Sequence, residues 1–173
     1  DYICDVGLYL NEAHKAGKRI MFEAQLGALR DIDFGIYPYT SSSSTIAAYA
    51  PIGAGVPNLK LDKSVGIMTA YSTCVGEGPF TAEYFGEKEE KLRAAGGEYG
   101  AATGRPRRVG PFDEVASRYA IRCQGSDEIA LTKLDVLPGF EEQELCTAYA
   151  LNGTIIQELQ FTDALDLCTP VFD

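Results

Sequence analysis

GEYGAATGRPRRVGPFDE, residues 97–114, is a glycine-rich stretch that carries Arg105, Arg107 and Arg108. The formal net charge of the whole chain is −10, so these guanidinium groups form a local cationic site on an acidic protein. Guanidinium groups bind carboxylates and phosphates through paired hydrogen bonds, and glycines allow a ligand to approach the backbone closely. The stretch predicts either an anion-binding loop or a solvated loop whose arginines pair with surface acids.

The pattern after the arginines is that of a helix over residues 111–125. Pro111 stands near its start, Asp113 and Glu114 fall in its first turn, and Gly125 is at its end. The first backbone N–H groups of a helix have no partner within the helix and attract anions. The order of loop and helix therefore favours the anion-binding interpretation.

Upstream, a helix over residues 6–16 is predicted to end at Gly17 and to lead into a short apolar strand, RIMFE at 19–23. Residues 24–57 are rich in Gly, Ser, Thr, Pro and Tyr, and their aromatic and aliphatic side chains indicate an ordered functional loop rather than a flexible insertion. Within 61–80, alternating side chains predict a strand, SVGIMTAYSTCV, before a GEGP turn.

The rest of the chain adds further strands. Residues 83–93 are heavily charged and predict a solvated segment at the rim, whereas IAL within 127–140 predicts a strand. ELCTAYAL (144–151) and TIIQEL (154–159) predict a hairpin across the Asn-Gly turn at 152–153. Helices that alternate with strands indicate an α/β fold.

Length and composition predict one domain without a membrane segment. The 173 residues, 46% of them hydrophobic, are enough to bury a core. No apolar run reaches the length that spans a bilayer, and residues 1–15 lack the order of a signal peptide, so a cytosolic protein is predicted. With 25 acidic against 15 basic side chains, the protein is not expected to bind nucleic acid.

The cysteines predict reduced thiols rather than a metal site. The 5 cysteines include no CxxC pair, and only His14 could join them as a nitrogen ligand, which argues against zinc. Wide spacing and an odd count indicate mostly buried thiols in a reducing compartment. They are Cys4, Cys74, Cys123, Cys146 and Cys168.

A second candidate site is TKLD, residues 132–135, at the end of the strand predicted in 127–140. In α/β sheets ligands bind beyond the carboxyl ends of strands, where Lys133 and Asp135 would lie. A carboxylate can accept hydrogen bonds from the N1–H and N2–H2 groups of guanine, which adenine does not present, while a lysine stem packs over the base. A guanine site and a surface ion pair both fit this short pattern.

Several familiar catalytic patterns are missing. The sequence has no GxxxxGK[ST] phosphate loop, no GxSxG turn and no Cys–His constellation for nucleophilic catalysis. His14 falls in a predicted helix and is interpreted as a surface or capping residue. Asp31 and Asp33 could be catalytic or structural, and we favour the structural role.

Four blocks of sequence carry a resemblance to a known family. They are FEAQLGALRDIDFGIYPYTSSS (22–43), AYSTCVGEGPF (70–80), GEYGAATGRPRRVGPFDEVA (97–116) and LTKLDVLPG (131–139). In this order, and across nearly the whole chain, they resemble adenylosuccinate synthetase. That family condenses IMP with L-aspartate and uses GTP with Mg²⁺: the γ-phosphate moves to the purine O6, and the aspartate amine then displaces it. The resemblance implies a P-loop-NTPase-like mixed sheet flanked by helices, with long ligand-binding loops and a C-terminal hairpin.

The resemblance also implies roles for particular residues. Those expected to read the guanine of GTP are Lys133, Leu134 and Asp135, with Arg107 reaching toward GTP. The loop expected to close over aspartate comprises Ala101, Ala102, Thr103, Gly104, Arg105 and Arg107. The IMP pocket is expected to include Leu26, Ser41, Val75 and Arg105, with Gln25 and Arg30 as further candidates. In the family these loops order when ligands bind.

The sequence departs from the common family pattern at four of its positions. Leu26 stands where the family usually has a purine-orienting Gln, and Arg30 replaces an apolar residue of the IMP pocket. Phe34 replaces a His, and Ala102 replaces a Thr of the aspartate loop. We interpret these changes as a subfamily with altered pocket packing, in which Arg30 adds a phosphate or ribose contact.

Some of the family's machinery is not found in this sequence. The GDEGKGK phosphate loop with the catalytic Asp and the catalytic His are expected upstream of residue 1, and a further guanine-contacting segment beyond residue 173. Residues 1–173 are therefore expected to form a single α/β fragment that has no synthetase activity alone, with Mg²⁺ held elsewhere. The parent enzyme is expected to be a homodimer. A noncatalytic purine-nucleotide-binding module is the alternative.

Overall fold

The computed structural model describes residues 3–173, and it is a mixed α/β structure with helices beside parallel and antiparallel strands. The first two residues of the expected 1–173 unit lie outside the described residues, and its being one domain stays a prediction. The helices are α1 (Val6–Lys15), α2 (Ala50–Gly53), α3 (Glu87–Gly96) and α4 (Glu114–Gln124). The strands are β1 (Val65–Thr69), β2 (Ser72–Cys74), β3 (Arg108–Gly110), β4 (Phe112–Asp113), β5 (Glu128–Thr132), β6 (Leu145–Leu151), β7 (Thr154–Ile156) and β8 (Cys168–Phe172).

The largest sheet has four strands around β6, which pairs with β4 in parallel and with β7 and β8 antiparallel. The predicted hairpin is confirmed, because Leu151 pairs with Thr154 across the turn. Asn152 and Gly153 have φ values of 51° and 81°, the left-handed geometry that a two-residue hairpin turn requires. The edge strand β8 was not predicted, since its short, proline-containing sequence lacks a clear alternation.

The predicted helix is confirmed as α4, which packs against this sheet, but it begins at Glu114 rather than near Pro111, because Phe112 and Asp113 form β4. The Asp113 carboxylate caps it by accepting a hydrogen bond of 2.9 Å from the Ala116 N–H, and Gly125 ends it with φ 58°. Its buried side chains, Val115 and Tyr119, enter the main core. That core consists of Ile36, Ala82, Val115, Tyr119, Cys146, Tyr149, Leu159 and Leu165.

Two smaller sheets lie nearer the candidate site. β1 and β5 form a parallel pair, and β2 and β3 an antiparallel pair. The single strand predicted within 61–80 is therefore two strands, because the chain changes hydrogen-bond partners: the Ala70 N–H donates to Thr132 and the Ser72 N–H to Pro111. A second core cluster forms beside them from Tyr71, Leu92, Val109 and Val136.

Two expected segments differ in the structure. RIMFE (19–23) is not a strand, because within residues 3–173 it has no strand partner, and Met21 is 90% exposed. The charged segment 83–93 was expected to be a solvated rim, but from Glu87 onward it belongs to α3. Acidic side chains in the first turn suit the helix dipole, and Leu92 anchors the helix in the core at 3% exposure.

Candidate functional site

The arginine loop is a compact exposed turn. The Gly104 N–H donates to the Gly100 carbonyl at 2.7 Å, and the Gly100 N–H donates to the Arg105 carbonyl at 2.8 Å. Tyr99 and Pro106 form an isolated bridge at its base. Every residue from 101 to 106 is exposed, so the predicted aspartate-binding residues Ala101, Ala102, Thr103, Gly104 and Arg105 lie at the tip.

The three arginines have different surroundings. Arg105 is exposed, and its nearest acid is Glu77 at 3.8 Å. Arg107 pairs with Glu98 at 3.1 Å. Arg108 forms a two-pronged ion pair with Glu83 and donates to the Gly76 and Gly78 carbonyls at 3.3 and 2.8 Å.

Arg108 is therefore a structural member of the stretch. Its hydrogen bonds to Glu83 raise the pKa of its guanidinium further, against the effect of burial. The guanidinium of Arg108 is thus neither solvated nor free to bind an anion. Arg105 and Arg107 are the two cations left near the tip.

Glu98 is a buried carboxylate that sequence reasoning did not single out. It is 3% exposed and accepts hydrogen bonds from the Tyr71 hydroxyl at 2.5 Å and from Arg107 Nη1 at 3.1 Å. The Thr73 hydroxyl donates a longer bond of 3.3 Å. Two of its three donors, Tyr71 and Thr73, lie at least 25 residues earlier in the chain, so no local pattern marks Glu98.

Tyr71 connects Glu98 with the second candidate site. Burial raises the pKa of the Tyr71 phenol, and the hydrogen bond to Glu98 and the charges of Glu98 and Asp135 raise it further. The Arg107 charge lowers it. A Cβ at Gly96 would collide with the Tyr71 hydroxyl, so this glycine permits the close approach. The acid of TKLD and the arginine stretch thus act on one buried phenol.

The predicted guanine-reading residues follow β5 directly. Lys133 has φ 62°, and Leu134 begins a 3₁₀ turn that runs to Gly139. Lys133, Leu134 and Asp135 are all exposed. The Lys133 Nζ donates to the Gly96 carbonyl at 2.8 Å, at the C-terminal end of α3, where a cation is favourable. Since residue 97 begins the arginine stretch, the two candidate sites are adjacent in space.

The candidate IMP residues Arg30, Ser41 and Val75 come together. The Ser41 N–H donates to the Arg30 carbonyl at 2.8 Å, and Arg30 Nη2 donates to the Val75 carbonyl at 3.2 Å. Further acceptors for the Arg30 guanidinium are the Tyr39 carbonyl, the Glu77 carbonyl and the Cys74 sulfur. Arg30 braces one loop against the other, a role the sequence did not indicate.

Leu26 and Gln25 have no hydrogen bond to that group within residues 3–173. Leu26 has φ 71°, a left-handed conformation that is unusual for a side chain with a Cβ, and it is 62% exposed. Gln25 contributes to an open cavity of about 540 Å³ beside the serine run. The cavity is lined by Phe22, Glu23, Ala24, Gln25, Ser43, Ser44, Ala50 and Ala54. Of the predicted IMP residues, Gln25 alone is in this lining.

Asp31 organises the loop that contains these residues. Its carboxylate is fully buried and accepts hydrogen bonds from the backbone N–H groups of Thr45 at 2.6 Å, Asp33 at 2.9 Å and Phe34 at 3.0 Å. The Ser44 hydroxyl adds a bond of 2.9 Å. Burial by itself would raise the pKa of Asp31, but these hydrogen bonds outweigh it and lower the pKa. The contacts support the structural interpretation of Asp31.

Within residues 3–173 no three His, Cys, Asp or Glu side chains are grouped so that they could hold a metal ion. All five cysteines are free thiols, and burial together with the Asp113 charge raises the pKa of Cys146 to about 12. In the same part of the chain, no helix combines the length and apolar character needed to cross a bilayer.

Fold and site together define a mixed α/β protein with a cationic loop beside a lysine and a carboxylate at a strand end. The family model described as adenylosuccinate synthetase matches residues 1–173, and the chain belongs to that family. It is 47% identical to the adenylosuccinate synthetase of Pelotomaculum thermopropionicum and 47% identical to that of Geotalea daltonii. In both comparisons the match covers 99% of this chain and 40% of the relative.

A solved structure agrees with the family assignment. The fully ligated adenylosuccinate synthetase from Plasmodium falciparum superposes with a TM-score of 0.92 at 36% identity. The match covers 99% of this chain and 42% of that one. The family resemblance and the mixed α/β fold class are therefore confirmed, and the chain spans 40% of the length of the curated relatives it matches.

Proposed function

We propose that this chain supplies the guanine-recognition and aspartate-binding parts of a GTP-dependent ligase that joins IMP and L-aspartate to give adenylosuccinate. The observation that carries the proposal is the hydrogen bond from Lys133 to the Gly96 carbonyl, at 2.8 Å. It joins the segment after β5 to the start of the arginine stretch. A base bound by the segment after β5 would therefore lie beside anions bound by the arginine stretch.

Asp135 and Lys133 are the proposed readers of guanine. The exposed Asp135 carboxylate can accept two hydrogen bonds from the N1–H and N2–H2 groups of the base. Lys133 and Leu134 offer apolar surface along the base plane. Adenine has no matching donor pair, so its binding would leave the carboxylate unpaired, and selectivity follows from that cost.

Arg105 and Arg107 are the proposed partners of the aspartate carboxylates, with the turn Ala101–Gly104 closing over the ligand. Arg107 would also reach toward GTP. For IMP we propose Arg105 together with the group formed by Ser41 and Val75. Leu26, Gln25 and Arg30 complete the proposed IMP set, and Arg30 would act mainly through its hold on the loop that contains Val75.

In the proposed reaction, the γ-phosphate of GTP passes to the purine O6 and GDP leaves. The aspartate amine then attacks C6, and inorganic phosphate departs with the oxygen. Bound Mg²⁺ would neutralise charge on the phosphates. The residues of this chain contribute by positioning and charge neutralisation: they orient the base and hold the aspartate carboxylates. The Mg²⁺ ligands, the catalytic Asp and the catalytic His are not assigned to residues described here.

The cellular setting is proposed on the same basis. The resemblance implies a cytoplasmic enzyme of AMP biosynthesis that acts as a homodimer. Neither nucleic acid nor a membrane is a proposed partner: the formal net charge of −10 disfavours nucleic acid, and no apolar run in the sequence is long enough to span a bilayer.

Calorimetry with GTP and ATP tests the guanine site. We expect the 173-residue chain to bind GTP at least about tenfold more tightly than ATP, and Asp135→Ala to abolish the preference. Asp62→Ala is the matched control, because Asp62 is an exposed acid before β1, at the opposite end of the same two-stranded sheet. Equal binding of GTP and ATP by the unmodified chain would overturn the guanine assignment.

A chimaera tests the reaction. In it, this chain replaces the matching part of the Pelotomaculum thermopropionicum synthetase, with which it shares 47% identity. We expect the chimaera to form adenylosuccinate and the 173-residue chain alone to form none. A chimaera that binds GTP with guanine selectivity but forms no product would favour the noncatalytic nucleotide-binding module.

A further inference from the structure

The Arg107 guanidinium is held from one side only. Its Nη1 donates to Glu98 at 3.1 Å, and its backbone N–H donates to the Glu98 carbonyl at 3.0 Å. Its Nε is buried and, within residues 3–173, has no hydrogen-bond partner. A buried N–H without a partner is unfavourable, so its retention calls for an explanation.

The geometry of guanidinium supplies that explanation. Nε and Nη2 lie on one edge of the planar group and together form a fork that binds a carboxylate through two parallel hydrogen bonds. Glu98 contacts Nη1, which lies off that edge. The side chain as a whole is 35% exposed although Nε itself is buried, so a carboxylate would reach Nε only if the atoms that cover it shift.

Glu98 is itself rigidly held. Its side chain is 4% exposed, and the Tyr71 hydroxyl at 2.5 Å and the Thr73 hydroxyl at 3.3 Å donate to its two oxygens. Tyr71 is 1% exposed and belongs to the core cluster beneath the site. Glu98 therefore connects Arg107 to the core, so the orientation of Arg107 does not depend on the exposed loop tip.

We propose that Glu98 is a positioning residue. It binds Nη1 of Arg107 and so leaves the Nε–Nη2 edge available to a carboxylate of L-aspartate. The inference rests on the proposed function for its ligand, but the arrangement of Glu98 and Arg107 can be measured without one. Glu98 acts through Arg107 and does not itself touch the ligand.

Charge and orientation make opposite predictions for Glu98→Gln. The substitution removes a negative charge beside the arginine, so on electrostatics alone it would tighten the binding of a dicarboxylate. If orientation matters more, the neutral amide holds Arg107 less firmly and binding weakens. We expect the dissociation constant of L-aspartate to rise about tenfold.

The Nε–H resonance of Arg107, followed by NMR in the 173-residue chain, reports both the orientation of Arg107 and the binding of L-aspartate. It is assigned by its loss in Arg107→Lys. Without ligand, we expect Glu98→Gln to accelerate solvent exchange of this proton at least about tenfold, while the Arg93 Nε–H, bonded to the Arg107 carbonyl at 2.8 Å, serves as an internal reference. With L-aspartate, the Arg107 resonance is expected to shift in the unmodified chain.

The second variant is Tyr71→Phe, which removes a bond to Glu98 but keeps the ring. We expect L-aspartate to bind about threefold more weakly. Tyr149→Phe is the matched control, because its hydroxyl donates to the buried Asp113 at 2.6 Å in the other core cluster. That control should leave the dissociation constant unchanged.

The outcomes separate the two proposals. No response of the unmodified chain to L-aspartate would overturn the aspartate assignment of the proposed function, whereas the exchange measurement would still decide whether Glu98 orients Arg107. Unchanged exchange in Glu98→Gln, or binding as tight as in the unmodified chain, would overturn the positioning role. Unchanged aspartate binding in Tyr71→Phe would contradict it as well.

Discussion

The four-stranded sheet and the β1–β5 pair contain similar apolar residues but bury them to different extents. In β6 of the larger sheet, Cys146 and Tyr149 are 0% and 1% exposed, and α4 covers them. In the pair, Ile67 is 69% exposed and Leu131 is 44% exposed. Parallel strands are usually covered on both faces, and two strands alone are marginally stable in water.

This difference separates the well-packed part of the molecule from the residues proposed to bind ligands. The larger sheet, α4 and the loop held by Asp31 form the well-packed part: the Tyr119 hydroxyl donates to the Phe34 carbonyl at 2.6 Å. The proposed guanine reader instead follows β5, the more exposed strand. The proposed site is held by hydrogen bonds from Lys133 to the Gly96 carbonyl and from the buried Tyr71 hydroxyl to Glu98.

The largest expected effect comes from a matched pair of leucines. Leu159 is 1% exposed in the main core, so Leu159→Ala should lower the free energy of unfolding by about 3 kcal/mol. Leu131→Ala in β5 should lower it by less than about 1 kcal/mol. Urea unfolding followed by circular dichroism measures both. Similar losses for the two variants would show that the β1–β5 pair is as well packed as the larger sheet.

A smaller effect is expected from Asp31→Asn, at about 2 kcal/mol. Asp31 only accepts hydrogen bonds, so the amide NH₂ of an Asn would face either the Thr45 N–H at Oδ2 or the Asp33 N–H at Oδ1, and one of these donors would lose its acceptor. Its pKa lies below the ordinary value of 3.8 in the folded protein, so its contribution is fully present above that pH. The contribution is lost as the pH falls through the folded pKa, and Asp31→Asn should remove that part of the acid sensitivity.

Asp113 provides a control, because its effect on the pH dependence of the free energy of unfolding should have the opposite sign. Burial raises its pKa, against the lowering effect of the hydrogen bonds from the Ala116 N–H and the Tyr149 hydroxyl. A raised folded pKa contributes stability at low pH that is lost as the pH rises through it. Urea unfolding across the acid range should therefore show Asp31→Asn and Asp113→Asn changing the pH profile in opposite directions. A shared direction would contradict the assigned hydrogen-bond environments.

The smallest effect is expected at the ion pair across the β1–β5 sheet. Lys63 Nζ lies 2.6 Å from Glu128, and both side chains are more than half exposed. Lys63→Ala should lower the free energy of unfolding by at most about 0.5 kcal/mol, and added salt should remove the difference. A double-mutant cycle with Glu128→Ala measures the coupling. A coupling above about 1 kcal/mol would mean that electrostatics compensates for the poor burial of this pair.

Local sequence signals predicted the elements that local chemistry controls. The Asn-Gly turn at 152–153 requires left-handed backbone at both positions, and Gly125 marked the C-terminal end of α4, although Asp113 is the N-cap of this helix and not a first-turn residue. TKLD was expected at a strand end, and β5 does end at Thr132. These predictions succeeded because each depends on neighbours within a few residues.

The missed elements depend on partners far along the chain. RIMFE (19–23) has the apolar residues of a strand but no strand beside it within residues 3–173, and an apolar run alone does not supply one. The helix over Glu87–Gly96 was hidden by its charge, although its acidic first turn and Leu92 were available as signals. The strand β8 is defined only by its pairing with β6.

The sequence by itself determined the family and the residue types of the two candidate sites, because four blocks in a particular order carry that information without coordinates. It also determined that cations are concentrated near residues 105–108 of an acidic chain. What it left open was the use of each arginine. A linear order does not state which acid lies beside which guanidinium.

Only the tertiary structure decided which partner each arginine has. Arg108 is occupied by Glu83 and backbone carbonyls, Arg30 braces the loop around Val75, and Arg107 is turned by the buried Glu98. Hydrogen bonds are directional and act over about 3 Å, so a partner 25 or more residues away in sequence competes equally with a neighbour once folding brings it close.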